Sequence, residues 1–193
     1  MTSKEIIFNN IKKNKPAPIA KPVIPDFVRY PEGDNIQHFI DNAKLAAAVP
    51  YVLNSPDDVQ AKIDELFGDA KSVVSTTPRY KGNREVDTNT DPKSLEDVDL
   101  MVVESTLGIA ESGSVCLTHS DVVVNALPHL TDNIVVIIKK ENIKPHIIDA
   151  YRAMRDRMEN YFVFLSGPSA TADIEFVLVI GAQAVLTETI LII

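Results

Sequence analysis

Phe164-Leu-Ser-Gly-Pro-Ser-Ala-Thr-Ala-Asp-Ile-Glu175 joins a hydrophobic run to a loop of small residues, hydroxyls and carboxylates. The run Tyr161–Leu165 reads as a strand, and Gly167-Pro168 ends it abruptly. In open α/β sheets ligands collect beyond the carboxyl ends of strands, so a loop of this make-up after a strand is a candidate site. If a helix starts near Ala172, its free N–H groups would receive an anion beside Ser169 and Thr171. Asp173 and Glu175 would sit in the same first turn and repel one. These acids suit ribose or sugar hydroxyls, a cation, or the helix dipole. The stretch 172–180 is β-branched enough for a strand. Thr171 as a cap and Gly181 as a stop tilt the reading to a helix.

Working outward, helices and strands largely alternate. Ile36, Phe39, Ile40, Ala43 and Ala47 fall at helical spacing behind a capping Asp34. Pro50–Leu53 is a short strand, and Ser55-Pro-Asp-Asp58 is a helix start with a capping serine. Val59, Ile63 and Leu66 carry that helix to Gly68. Strands follow at Lys71–Ser75, Asp99–Val103, Ser114–Thr118 and Asn133–Ile138. Val185–Ile193 is a further strand. Lys144–Met158 is helical, with Ile147, Tyr151, Met154 and Met158 on one face. The expected fold is α/β, a mostly parallel or mixed sheet covered by helices.

Residues 1–33 differ from the rest. A short helix over Lys4–Lys15 is followed by four prolines in 16–25, which favour extended backbone. This N-terminal arm precedes the α/β domain, 34–193. The loop 76–94 is polar and long, and it carries Arg79, Lys81 and Arg84; loops of that length are often functional.

The chain has 193 residues, 45% hydrophobic and 24% charged, which suffices for one compact core. Its formal net charge of −8 argues against nucleic acid and anionic lipid as partners. One cysteine, Cys116, excludes an internal disulfide and any cysteine-held zinc or iron–sulfur group. It lies in an apolar run and reads as a buried structural thiol. The N-terminus lacks the apolar core of a signal peptide, and the apolar runs are too short for a bilayer. A cytoplasmic protein without a membrane span is the expectation. Self-association through the arm or the apolar tail Thr189–Ile193 is open.

A second candidate site is Gly108-Ile-Ala-Glu-Ser-Gly-Ser114, between two apolar strands. Gly108 and Gly113 would let amides turn toward a ligand, with Ser112 and Ser114 beside them. Glu111 is the candidate catalytic carboxylate, as base, nucleophile or hydroxyl acceptor. The competing reading is a sharp turn in which Glu111 accepts backbone N–H bonds. The binding candidates are therefore Gly108, Ser112, Gly113, Ser114, Gly167, Ser169, Thr171, Asp173 and Glu175. His119, His129 and His146 lack metal-ligand spacing, His38 lies on a helix, and no metal site is expected. Dinucleotide, P-loop and nucleophile-elbow motifs are absent.

With both loops quoted, the chain resembles the lactate-utilisation protein C family, the LUD domain. Gly108–Ser114 resembles that family's first signature, and Gly167–Glu175 its second almost letter for letter. Leu127-Pro128 followed by Asn133-Ile-Val-Val136 resembles the segment between. The likeness runs from about Asp34 to the C-terminus. It departs where the family has glycine–valine–histidine–glycine–proline and this chain has Gly181-Ala-Gln-Ala184. It departs again where an arginine precedes leucine–proline and this chain has Asn125. These departures remove a possible proton donor and a possible anion clamp.

The resemblance implies a three-layer α/β/α fold like that of the NagB/RpiA/CoA-transferase superfamily. It implies an accessory part in oxidising L-lactate to pyruvate, with two partner proteins that carry the iron–sulfur clusters. The chain itself would hold no cofactor and would bind a small anionic or hydroxylated ligand. Two alternatives stay open: a non-catalytic binding module, and an enzyme acting on a sugar phosphate or CoA thioester.

Overall fold

A computed structural model describes residues 2–17, 19–20, 22–23, 34–155, 161–171, 179–181 and 184–193. The helices are α1 (Ser3–Lys13), α2 (Asn35–Leu45), α3 (Asp58–Phe67), the single turn α4 (His119–Val122) and α5 (Ile147–Met154). The strands are β1 (Val49–Val52), β2 (Val73–Ser75), β3 (Leu100–Ser105), β4 (Leu107–Ile109), β5 (Ser114–Thr118), β6 (Asn133–Ile138), β7 (Ile143–Lys144), β8 (Phe162–Leu165), β9 (Ala170–Thr171), β10 (Val179–Ile180) and β11 (Thr187–Ile192).

The central sheet has five strands in the order β1-β11-β6-β3-β2, every neighbouring pair parallel. Its inner strands read as unbroken apolar runs because both of their faces are covered. The two-residue period of a strand sends alternate side chains to opposite faces. Leu100, Val102, Val135, Ile137 and Leu191 pack with Val59 and Ile63 of α3. Met101, Val103, Ile134, Val136 and Ile190 join Phe39 and Ala43 of α2 on the other face. An α/β/α sandwich results.

That second face also carries a four-stranded sheet in the order β7-β4-β5-β8, which the sequence reading did not anticipate. Val115 and Leu117 of β5 point into the core shared with the central sheet. Leu107, Ile109 and Cys116 point outward against Ala150 and Met154 of α5. Cys116 is buried, as its apolar neighbours suggest.

Several expectations are corrected. Gly108 lies inside β4, not in a turn, so the motif Gly108–Ser114 is a β-hairpin whose bend is confined to Ala110–Gly113. The face of α5 that packs inward is Ala150 and Met154. Tyr151 is half exposed and meets Phe162 and Phe164 edge-on, while Met158 lies outside the described residues. Ser55 opens the turn before α3 by accepting the Asp57 N–H, but Asp57 holds the cap position. The helix expected over 172–180 does not hold at its far end. Val179–Ile180 pairs antiparallel with Ala170–Thr171, and residues 172–178 lie outside the described residues.

Helix α2 positions the site. Asp34 caps it, its Oδ1 accepting from the N–H groups of Ile36 and Gln37 at 3.2 and 3.1 Å. Phe39 and Ala43 then anchor it to the sheet. Helix α1 has a full capping box at Thr2 and Glu5 and buries none of its residues.

Candidate functional site

Both glycine-punctuated bends come to rest on the C-terminal end of α2, the first on its last turn and the second on its C-cap residue Ala46. Gly113 has φ of +65°, and a Cβ on it would strike the backbone of Asn42 and Ala43. Gly167 has φ of +80°, and a Cβ there would strike the Ala46 carbonyl. Each glycine is required twice over, by its left-handed backbone and by its approach to a helix. The bends also touch, for the Ser166 hydroxyl donates to the Ser112 carbonyl at 3.2 Å. The Asn42 amide donates to the Ala110 carbonyl at 2.8 Å and ties the first bend to α2.

Within the first bend, Glu111 is fully engaged. One carboxylate oxygen accepts the Ile147 N–H at 2.8 Å and so caps α5. The other lies 2.7 Å from Nδ1 of His146, where the ring N–H donates. The side chains are 27% and 15% exposed. Glu111 thus orients an imidazole and satisfies a helix end, which is the backbone-accepting role weighed for it from sequence.

The Ser112 and Ser114 hydroxyls bond each other at 2.7 Å. Gly108 faces Ile138, Phe39 and Ile143, so it serves close packing. A cavity of about 130 Å³ opens beside the bend, lined by Asn35, His38, Asn42, Ala110, Glu111 and Pro145.

The second bend borders a different cavity, of about 310 Å³, lined by His129, Ser166, Gly167, Pro168, Ser169 and Val185 among others. Ser169 donates its N–H to Val185 and accepts that of Gly181. Thr171 is in β9. Asp173 and Glu175 lie outside the described residues, as does Gln183. The two motifs are therefore joined at their bends, but each lines its own cavity.

Sequence reasoning missed three groups. His146 pairs with a residue 35 positions away, a relation no local spacing encodes. His129 reaches the cavity of the second bend and sits 3.3 Å from the Tyr161 hydroxyl. Glu188, on β11, is fully buried, and its Oε2 accepts the Gly167 N–H. Among the described residues its Oε1 has no hydrogen-bond partner. Burial pushes the carboxyl up from 4.5 to about 7, because desolvation outweighs the Gly167 bond. The signal in sequence was one acid just before the apolar run Ile190–Ile193.

The model of the LUD domain matches residues 79–193, more than half of the chain and both bends. The chain belongs to the LUD domain family. Among similar proteins, lactate utilization protein C of Anoxybacillus flavithermus is 28% identical over 102 residues, covering 52% of this chain and 46% of that protein. Lactate utilization protein C 1 of Bacillus mycoides is 29% identical over 113 residues, 55% and 48% of the two chains. The chain spans about half the length of the curated relatives it matches. A DUF162 family protein from Deinococcus radiodurans shares the fold, with a TM-score of 0.64 at 16% identity over 82% of this chain and 95% of that one. Among the described residues no helix is long and apolar enough to cross a membrane.

Proposed function

We propose that this LUD domain protein is an accessory component of L-lactate utilisation that binds a small anionic or hydroxylated ligand. It acts beside two partner proteins that hold the iron–sulfur clusters for oxidation of L-lactate to pyruvate. The observation that carries the reading is the junction of the two family motifs on α2, through the Ser166–Ser112 bond. The relatives named lactate utilization protein C supply the pathway.

The occupied state of Glu111 favours binding over covalent catalysis as this chain's own contribution. Of the alternatives, a non-catalytic binding module fits that state better than an acyl-enzyme acting on a CoA thioester or sugar phosphate. Deleting the gene is expected to abolish growth on L-lactate while sparing growth on glucose. A tagged copy is expected to retain iron–sulfur proteins on purification. Normal growth on lactate, with no such protein retained, contradicts the proposal.

A further inference from the structure

A third cavity lies away from both bends, at the carboxyl ends of the central parallel strands. It has a volume of about 500 Å³ and is lined by Pro56, Asp57, Gln60, Pro78, Arg79 and Glu104. Pro78 and Arg79 follow β2, Glu104 lies near the end of β3, and Gln60 belongs to α3. This is the end of an open α/β sheet at which ligands collect.

Arg79 is held there in one orientation. Its Nε–H donates to Glu104 Oε2 at 2.9 Å. The same oxygen accepts the Thr77 hydroxyl at 3.3 Å, and the Thr77 hydroxyl oxygen accepts the Arg79 backbone N–H at 3.3 Å. Thr77 is only 7% exposed. The Ser75 hydroxyl fixes the turn further, lying 2.7 Å from the Tyr80 carbonyl and 3.0 Å from that of Thr77 with one hydrogen to give.

Among the described residues, neither terminal nitrogen of Arg79 makes a hydrogen bond, and neither does Glu104 Oε1. Both side chains are 27% exposed, so the free edges are accessible. A guanidinium pinned through Nε keeps its outer pair of N–H groups for a planar acceptor, at little further entropic cost.

Charge then selects the ligand. The lining holds one cation, Arg79, and two carboxylates, Glu104 and Asp57. The lining carries one more negative than positive charge, which opposes a dianion about twice as strongly as a monoanion. A monocarboxylate can take the guanidinium fork, and its hydroxyls can donate to the free carboxylate oxygen. We propose that this cavity binds a small hydroxylated monocarboxylate, its carboxylate on Arg79 and a hydroxyl on Glu104. The class rests on the charges and geometry of the cavity. Only the choice of lactate as one probe rests on the function proposed above.

The test is isothermal titration of the full chain with L-lactate, D-gluconate, propionate and inorganic phosphate. At least one of the two hydroxy acids is expected to bind, and propionate, which lacks the hydroxyl, to bind about tenfold more weakly. Arg79→Gln is expected to lower hydroxy-acid affinity by about ten- to a hundredfold. Arg79→Lys keeps the charge and loses the fork, so it is expected to restore little of the binding; its circular dichroism checks that the chain is folded. Gluconate binding without lactate binding upholds the site and counts against lactate as its ligand. Undiminished binding in both folded variants, tighter binding of propionate or phosphate, or no binding by either hydroxy acid overturns the proposal. In the last case loss of growth on lactate would still stand for the accessory role.

Discussion

Glu111 and Glu188 serve the two bends in opposite ways. At the first bend, Glu111 is partly exposed and both its oxygens are bonded, to His146 and to the Ile147 N–H. At the second, Glu188 is fully buried, bonded to Gly167 through one oxygen and, among the described residues, to no partner through the other. The carboxylate that the motif advertises has both oxygens bonded and borders a cavity. The one that no motif marks carries a buried oxygen with no partner among the described residues. An acid's neighbourhood, rather than its place in a signature, decides what it is free to do.

The largest expected effects come from what the two bends share. Gly113→Ala and Gly167→Ala each combine a left-handed backbone with a clash against α2. Each is expected to destabilise by about 3–5 kcal/mol in urea unfolding. A small effect at one glycine alone would mean that only the other bend is docked on the helix.

Glu188 should then show itself in the pH dependence of stability. Glu188 has a folded value near 7 against 4.5, so between those limits the folded chain holds a proton that the unfolded chain has released. Its contribution is complete below about pH 4.5, declines as pH rises to about 7, and is flat above; the span is roughly 3 kcal/mol. Chemical denaturation across pH 4.5–8 is expected to show that decline in the wild type and to lose it in Glu188→Gln. An unchanged slope in the variant would assign the decline to other groups.

Glu111→Ala removes a helix cap and the partner of His146 at a part-exposed position. It is expected to cost about 1–2 kcal/mol, read from the same unfolding curves. The smallest effect is expected at the junction. Ser166→Ala removes one exposed hydrogen bond to the Ser112 carbonyl, for about 0.5–1 kcal/mol.

Much of the fold was legible because its strands are long and doubly buried. Leu100–Val103, Ile134–Ile138 and Ile190–Ile193 are apolar runs within or overlapping these strands, and Asp34 announced α2. The second sheet was not legible. β4 is three residues long and its Gly108 reads as a turn, although its role is to admit Ile138, Phe39 and Ile143. The site was legible as two glycine bends and as a choice of roles for Glu111. His146, Arg79 and Glu188 owe their parts to partners 35, 25 and 21 positions away, which no local pattern carries.

The central claim, that both bends dock on one helix, is tested most directly by nuclear Overhauser contacts in a uniformly labelled sample. The predicted result is contacts from the Gly113 α-protons to Asn42 and Ala43, together with contacts from the Gly167 α-protons to Ala46. A spectrum in which Gly167 contacts no residue of 42–46 while Gly113 does would contradict the account.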